Sequence, residues 1–411
     1  MNPIANVTYK AGTVLLLLLL FSTVSGPAFC AAQDMFSPPD NVGASKIPRF
    51  GNVRIPVLIL SDNDSAARSA AQRPLFGNDL SANTFRNYWS ENSLSVYDAR
   101  IAPLVASLDG KLFPAGGAAD KDKWFMLIAD KLRALADQGV YEPAAYDISG
   151  QTNTPDGRAD GMIVLVDGLR GSFNIFPDEG GETTLGNVKP GPTLIAGIDA
   201  SDYDILRGFA GLMGFADMGA GPDSKGGVCL SLSGIRADEN GIPLLDGYSR
   251  LRAGWAREIK IDGPVRKLFL LPSRTSGDVY TIGGDSEYYV IENRAPGGLY
   301  DPLIKSAGLA IYRINENAGP AAKPDAWQPP VMNVWPDGSF PLQIGEPFNP
   351  DHALFRHGDY IESDYSFQNP LSEKFHQLNS NWLSGEPSDI SISEIDTKTH
   401  FPIISAMIGF D

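Results

Sequence analysis

The stretch 202–218, Asp-Tyr-Asp-Ile-Leu-Arg-Gly-Phe-Ala-Gly-Leu-Met-Gly-Phe-Ala-Asp-Met, constrains the fold more than any other. Ile205, Leu206, Phe209, Leu212 and Met213 recur at i, i+1, i+4, i+7 and i+8, the spacing of one buried helical face. Asp202 or Asp204 suits the N-cap, with its carboxylate at the positive end of the helix dipole. Gly208 and Gly211 fall inside this helix, and each costs about 1 kcal/mol relative to alanine. A helix that keeps two such residues has a reason in packing or in ancestry.

The elements around it follow from composition and period. Residues 53–60 are aliphatic and β-branched and read as a strand in the interior of a sheet. Thr84 caps a helix over 84–92, and a short strand follows over 95–101. Phe125, Leu127, Ile128, Leu132 and Leu135 mark residues 122–136 as an amphipathic helix packed on the sheet. Residues 162–166 form a short apolar run of the kind that makes a buried parallel strand, and 193–198 form another. The glycine-rich loop over 180–192 has no Lys-Ser/Thr to follow it and reads as surface rather than phosphate cradle. After Arg266 the chain is mostly β, with strands at 267–271, 279–282, 287–292, 308–314, 390–395 and 401–410. Tyr288, Val290 and Glu292 share one face of their strand, and Tyr289, Ile291 and Asn293 share the other. Residues 315–380 are rich in Pro, Asp, Asn and Gly and read as long loops. No composition shift divides the chain, so 33–411 reads as one domain, with 266–411 its β-rich part.

Several of these segments together carry a resemblance. In the frame H-E-x-x-H-x-x-G-x-x-D, the opening helix gives Arg207, Gly208, Gly211, Gly214 and Asp217 at the positions of the first His, the Glu, the second His, the Gly and the acid. The segments Ile55-Pro-Val-Leu-Ile-Leu60, Phe85-Arg-Asn-Tyr-Trp-Ser-Glu-Asn-Ser93 and Asp156-Gly-Arg-Ala-Asp160 lie upstream in order. Tyr248-Ser-Arg-Leu-Arg-Ala-Gly-Trp255, Glu287-Tyr-Tyr-Val-Ile-Glu-Asn-Arg294 and Gly308-Leu-Ala-Ile-Tyr312 lie downstream. In these landmarks the chain resembles the immune inhibitor A family of secreted bacterial metallopeptidases. That resemblance implies an α+β, zincin-like fold with a mixed sheet and an active-site-type helix. It also makes the two helix glycines look ancestral, left behind when ligands were lost. Leu232 stands where the family's turn beneath the metal would carry methionine.

The family's chemistry does not carry over with the fold. Zinc catalysis uses about three protein ligands, usually including His, plus an open water position. Arg207 stays protonated and cannot ligate, and Gly208 and Gly211 bring neither base nor ligand. All four histidines, His352, His357, His376 and His400, lie near the C-terminus, and no Gly-x-Ser-x-Gly elbow offers a serine route. Asp351, His352, His357 and Asp359 read either as a small metal cluster or as scattered loop residues. Asp156 and Asp160 read either as a Ca²⁺ pair, with Arg158 where a third acid would help, or as a capped turn before a strand. No cofactor is expected and zinc is disfavoured. Glu292 and Arg294 point the same way from their strand and are expected to pair structurally. Trp89, Trp124 and Trp255 are expected in the core.

The N-terminus bears on where the protein works. Lys10, an apolar run with leucine at every position from 15 to 20, and Ala28-Phe-Cys-Ala-Ala32 read as a signal peptide cleaved after Ala32. Phe29 is too bulky for a lipobox ending at Cys30. The mature chain would keep only Cys229, as a small buried hydrophobe without an internal disulfide. Removing residues 1–32 takes away Lys10 and no acid, so the mature charge is (33 − 1) − 49 = −17. Such acidity argues against nucleic acid or an anionic membrane as a partner. The sequence therefore points to an exported, extracellular or periplasmic, metallopeptidase-like protein without peptidase activity that binds a peptide or protein. A divergent metal-dependent hydrolase with a rebuilt site, and a purely structural role outside the cell, are the rival expectations.

Overall fold

The computed structural model describes residues 47–110, 114, 120–148, 155, 157–176, 188–215, 241–263, 266–301, 304–316, 331–334, 354–356, 388 and 390–410. Its first half is a sheet with helices on both faces. Gly51–Leu60 (β1) pairs in parallel with Tyr97–Ala106 (β2) on one side and Met162–Val166 (β3) on the other. Thr193–Gly197 (β5) continues the parallel set, and Ser172–Ile175 (β4) closes the edge antiparallel to it, giving the order β2-β1-β3-β5-β4.

Alternation along these strands builds two cores. Val53, Ile55, Val57, Ile59, Ile163, Leu165, Leu194 and Ala196 face one way. Against them pack Asp64–Ala71 (α1), Phe85–Asn92 (α2) and Asp202–Leu212 (α4). Leu58, Leu60, Met162, Val164, Val166 and Ile195 face the other way, onto Lys121–Asp137 (α3). Trp124, Phe125, Ile128, Leu132 and Leu135 form the buried stripe of α3, while Leu127 is only half-buried. On α2, Phe85, Tyr88, Trp89 and Asn92 share the buried i, i+3, i+4, i+7 face, and the Thr84 hydroxyl accepts from Asn87 N. The strand expected from residue 95 starts at Tyr97, because Leu94 and Ser95 turn the chain with φ of 53° and 67°.

The second half is two antiparallel-rich sheets face to face. Arg257–Lys260 (β6), Asp278–Gly283 (β8), Glu287–Arg294 (β9), Gly308–Asn315 (β10) and Val331–Val334 (β11) are ordered β11-β10-β9-β8-β6. Arg266–Leu270 (β7), Ile390–Asp396 (β12) and Ile404–Phe410 (β13) form the other sheet, β12-β13-β7. Tyr289, Ile291, Leu309 and Ile311 meet Ile392, Ile404 and Ile408 between them, whereas Val290 and Tyr312 face the opposite core. The fold is thus mixed α+β, as expected. Strand β11 lies inside the stretch read as loops, and the last strand begins at Ile404 rather than at Phe401. Trp89, Trp124 and Trp255 are all at most 1% exposed. Among the described residues no helix is long and apolar enough to cross a membrane.

Candidate functional site

Helix α4 is built differently at its start from what the sequence suggested. The N-cap is Ser201, not Asp202 or Asp204. Its hydroxyl accepts from Asp204 N at 3.1 Å, and the Asp204 carboxylate accepts from Ser201 N, a reciprocal capping box. Asp202 and Asp204 occupy the first turn instead, where their charge meets the helix dipole. Burial pushes the Asp202 carboxyl up, with Arg73 pulling the other way at 3.8 Å.

The far end matches the expected glycine turn. Gly214 has φ 80°, its N–H reaches Gly211 O at 3.1 Å, and Phe215 N reaches Ala210 O at 3.1 Å. That pair of bonds is a Schellman ending, for which a residue with positive φ is needed. Arg49 completes the cap: its Nε and Nη2 donate to Met213 O at 3.2 and 2.6 Å, while Nη1 donates to Arg252 O. Burial, then the nearby Arg252, bring the Arg49 guanidinium down to about 10.

Ile205, Leu206, Phe209, Leu212 and Met213 are buried as the period demanded, which leaves Asp204, Arg207, Gly208 and Gly211 on the remaining stripe. The half-buried Arg207 guanidinium lies 6.0 Å from the Tyr203 ring. A Cβ at Gly208 would come within 2.5 Å of Leu194 Cδ1 on β5, and one at Gly211 within 2.7 Å of Asn174 Nδ2 on β4. Asn174 donates that same amide to Gly208 O at 3.0 Å. The helix glycines therefore have a present reason in packing, whatever their ancestry. Arg207, Gly208 and Gly211 do come together on one face, beside the edge strand. They do not fit a zinc ion, since a guanidinium and two glycines supply no ligand. Asp217 lies outside the described residues, as do Leu232, Cys229, His352, His357, His376, Asp351 and Asp359.

The calcium candidates divide in the same way. Asp156 lies outside the described residues. Asp160 is buried and its Oδ2 accepts from Ile148 N at 2.9 Å, while Asp147 accepts from Gly157 N at 2.9 Å. On this side of the loop the carboxylates brace backbone ahead of β3, as in a capped turn. Among the described residues no group of three or more His, Cys, Asp or Glu side chains is placed to share a metal. His400 meets the Phe269 ring edge-on at 5.7 Å.

A second polar cluster lies where β9 meets Gly247–Ala253 (α5) and Ser273–Ser276 (α6). Glu292 is fully buried. Its Oε2 accepts from Arg250 Nη2 and Ser273 Oγ at 2.7 Å each. Its Oε1 accepts from the Tyr312 hydroxyl at 2.8 Å, Gly247 N at 3.1 Å and Arg294 Nη1 at 3.3 Å. Burial by itself would push this carboxyl up; Arg294 and Arg250, with the Ser273 and Tyr312 hydroxyls, outweigh it and hold it below its ordinary value. Arg294 also donates to Asp301 at 2.8 Å, and Asp301 accepts from Leu244 N at 2.9 Å. The expected Glu292–Arg294 pair is thus present and structural. Arg250, Ser273 and Asp301 went unforeseen, because they lie 42, 19 and 7 residues from their partners on other segments, and no repeat in the sequence links them.

Helix α2 joins the two halves. Asn92 Oδ1 accepts from Leu245 N at 2.7 Å, Tyr88 donates its hydroxyl to Pro243 O at 2.9 Å, and Arg274 binds Glu91 at 2.7 Å. Tyr300 donates to Thr84 O at 2.9 Å. The polar cluster therefore anchors the sheet that carries α4, and it is closed off from ligand chemistry by its own pairing. The open candidate is the stripe of α4 beside β4. No family model matches the chain, and neither does any curated protein.

Proposed function

We propose that the chain is a divergent, exported relative of the immune inhibitor A metallopeptidases that has lost their zinc chemistry and binds an extended peptide or protein segment. One observation carries the reading. The positions where the zinc motif would sit, Arg207, Gly208 and Gly211, form the partly open stripe of α4 next to the sheet's antiparallel edge strand β4. An edge strand presents unpaired backbone donors and acceptors, and strand addition is a general way to hold an extended peptide. The helix ending at Gly214 and the edge strand running beside it support a zincin-like fold. The substitutions at 207, 208 and 211 support loss of hydrolysis.

Metal analysis of the purified protein, together with incubation with casein, tests this. The expected result is no stoichiometric zinc, no digestion, and measurable retention of casein. Stoichiometric zinc with casein digestion abolished by EDTA would overturn it in favour of a metal-dependent hydrolase.

A further inference from the structure

Asn174 donates one amide hydrogen bond to the backbone of α4, at Gly208 O, while its Oδ1, also buried, has no hydrogen-bond partner among the described residues. The bond to Gly208 O has room because Gly211 carries no side chain, while a side chain at Gly208 would meet Leu194 instead. At Gly211 a methyl group would displace the Asn174 amide, whose nitrogen is 2.7 Å from where the carbon would be. Interior helix glycines are costly, and here the cost coincides with a side-chain bond from the neighbouring edge strand. We propose that Asn174 is a latch between β4 and α4, seated on Gly208 and Gly211, that sets how far the strand edge opens to an extended peptide. The peptide half of this statement rests on the function proposed above; the latch itself does not.

The physical logic is local. Strand β4 is only four residues long, Ser172–Ile175, and β5 is its one partner among the described strands. So short a strand gains little from its ladder, and a bond to the helix beneath restrains it. Releasing that bond leaves β4 held by β5 alone among the described strands, so that its outer edge can shift to pair its backbone with an incoming strand.

The test reads the latch first. Gly211→Ala is made alone and together with Asn174→Ala, and thermal midpoints are compared. Alanine is the better helix former, so without a latch Gly211→Ala raises the midpoint in both backgrounds, and that result overturns the proposal. With a latch, Gly211→Ala lowers the midpoint in the natural chain and raises it when Asn174→Ala is present. A fall in both backgrounds means that Gly211 meets some other group, and this too overturns the latch. Fluorescence anisotropy with labelled casein then reads the groove. Asn174→Ala is expected to tighten casein binding several-fold, and unchanged binding overturns the gating role. If casein binds neither the natural chain nor any variant while the midpoints reverse sign as expected, the peptide-binding function fails and the latch stands.

Discussion

The Glu292 carboxylate and the Arg250 guanidinium meet at 2.7 Å with 0% and 1% of their side chains exposed. Arg294 sits on the carboxylate's other oxygen at 3.3 Å, so one anion holds two buried cations in place. Breaking a buried pair strands the partner's charge, a loss of roughly 3–5 kcal/mol. Glu292→Gln, which keeps shape and removes charge, is expected to cost about that much in urea unfolding. Tyr312→Phe removes one hydrogen bond and is expected to cost about 1 kcal/mol. A Glu292→Gln loss no larger than that of Tyr312→Phe would refute the role of charge. The folded carboxyl titrates below its ordinary 4.5, so its contribution is complete above that pH and fades as pH falls below it. The stability of Glu292→Gln should lack this acid limb.

Alkali should act through the tyrosines. Burial pushes Tyr88 and Tyr97 well above their ordinary 10.0, and Tyr289 up to about 12. A raised tyrosine contributes stability that is whole below the unfolded value and lost as pH rises through the folded one. An ultraviolet titration is expected to show these phenols ionising late and in step with unfolding. Smooth ionisation of every tyrosine near 10, with the fold intact, would contradict the burial described here.

Arg49→Met tests the cap of α4. It removes the donors to Met213 O and should cost about 1–3 kcal/mol, with amide exchange quickened in the last turn of α4 and unchanged in α3. Equal exchange in both helices would show that Arg49 does not hold that end.

Restoring ligands tests the alignment of α4 with the zinc motif. Arg207→His, Gly208→Glu and Gly211→His place side chains at i and i+4 on one face. Because a side chain at 211 runs into Asn174 and one at 208 into Leu194, the triple variant is expected to take up zinc only when Asn174→Gly and Leu194→Ala are added. Equal zinc uptake by the triple variant alone would show that Asn174 is no obstacle. No uptake by either would show that the alignment is wrong.

Export is checked directly. Intact mass and N-terminal sequencing of secreted protein should give a start near Gln33 and no diacylglyceryl group on Cys30.

What the sequence disclosed, it disclosed through period, apolar runs and caps. Helix α3 and the alternation along β9 repeat at 3.6 and 2 residues and burial followed the repeat, while the continuous apolar runs of β1, β3 and β5 and the Thr84 cap of α2 marked those elements without one. The reciprocal Ser201–Asp204 cap was missed because Asp202 and Asp204 are equally plausible caps by residue type, and only geometry separates them. Strand β4 was missed because Ser-Phe-Asn-Ile is too short to show a period. With it went Asn174, and so the packing reason for Gly208 and Gly211. Glu292 and Arg294 could be paired from their spacing, but Arg250 reaches them only through the tertiary fold.

The bonds of helix α2 also set a timetable for synthesis. Tyr88, Asn92, Glu91 and Thr84 find their partners 155, 153, 183 and 216 residues further along the chain. A ribosome adding about 5–20 residues per second needs roughly ten to forty seconds to deliver them. Through that interval α2 is held to the first sheet by its apolar face alone, without these four bonds. The four bonds that tie α2 to the second half can therefore form only after the chain has been made as far as Tyr300.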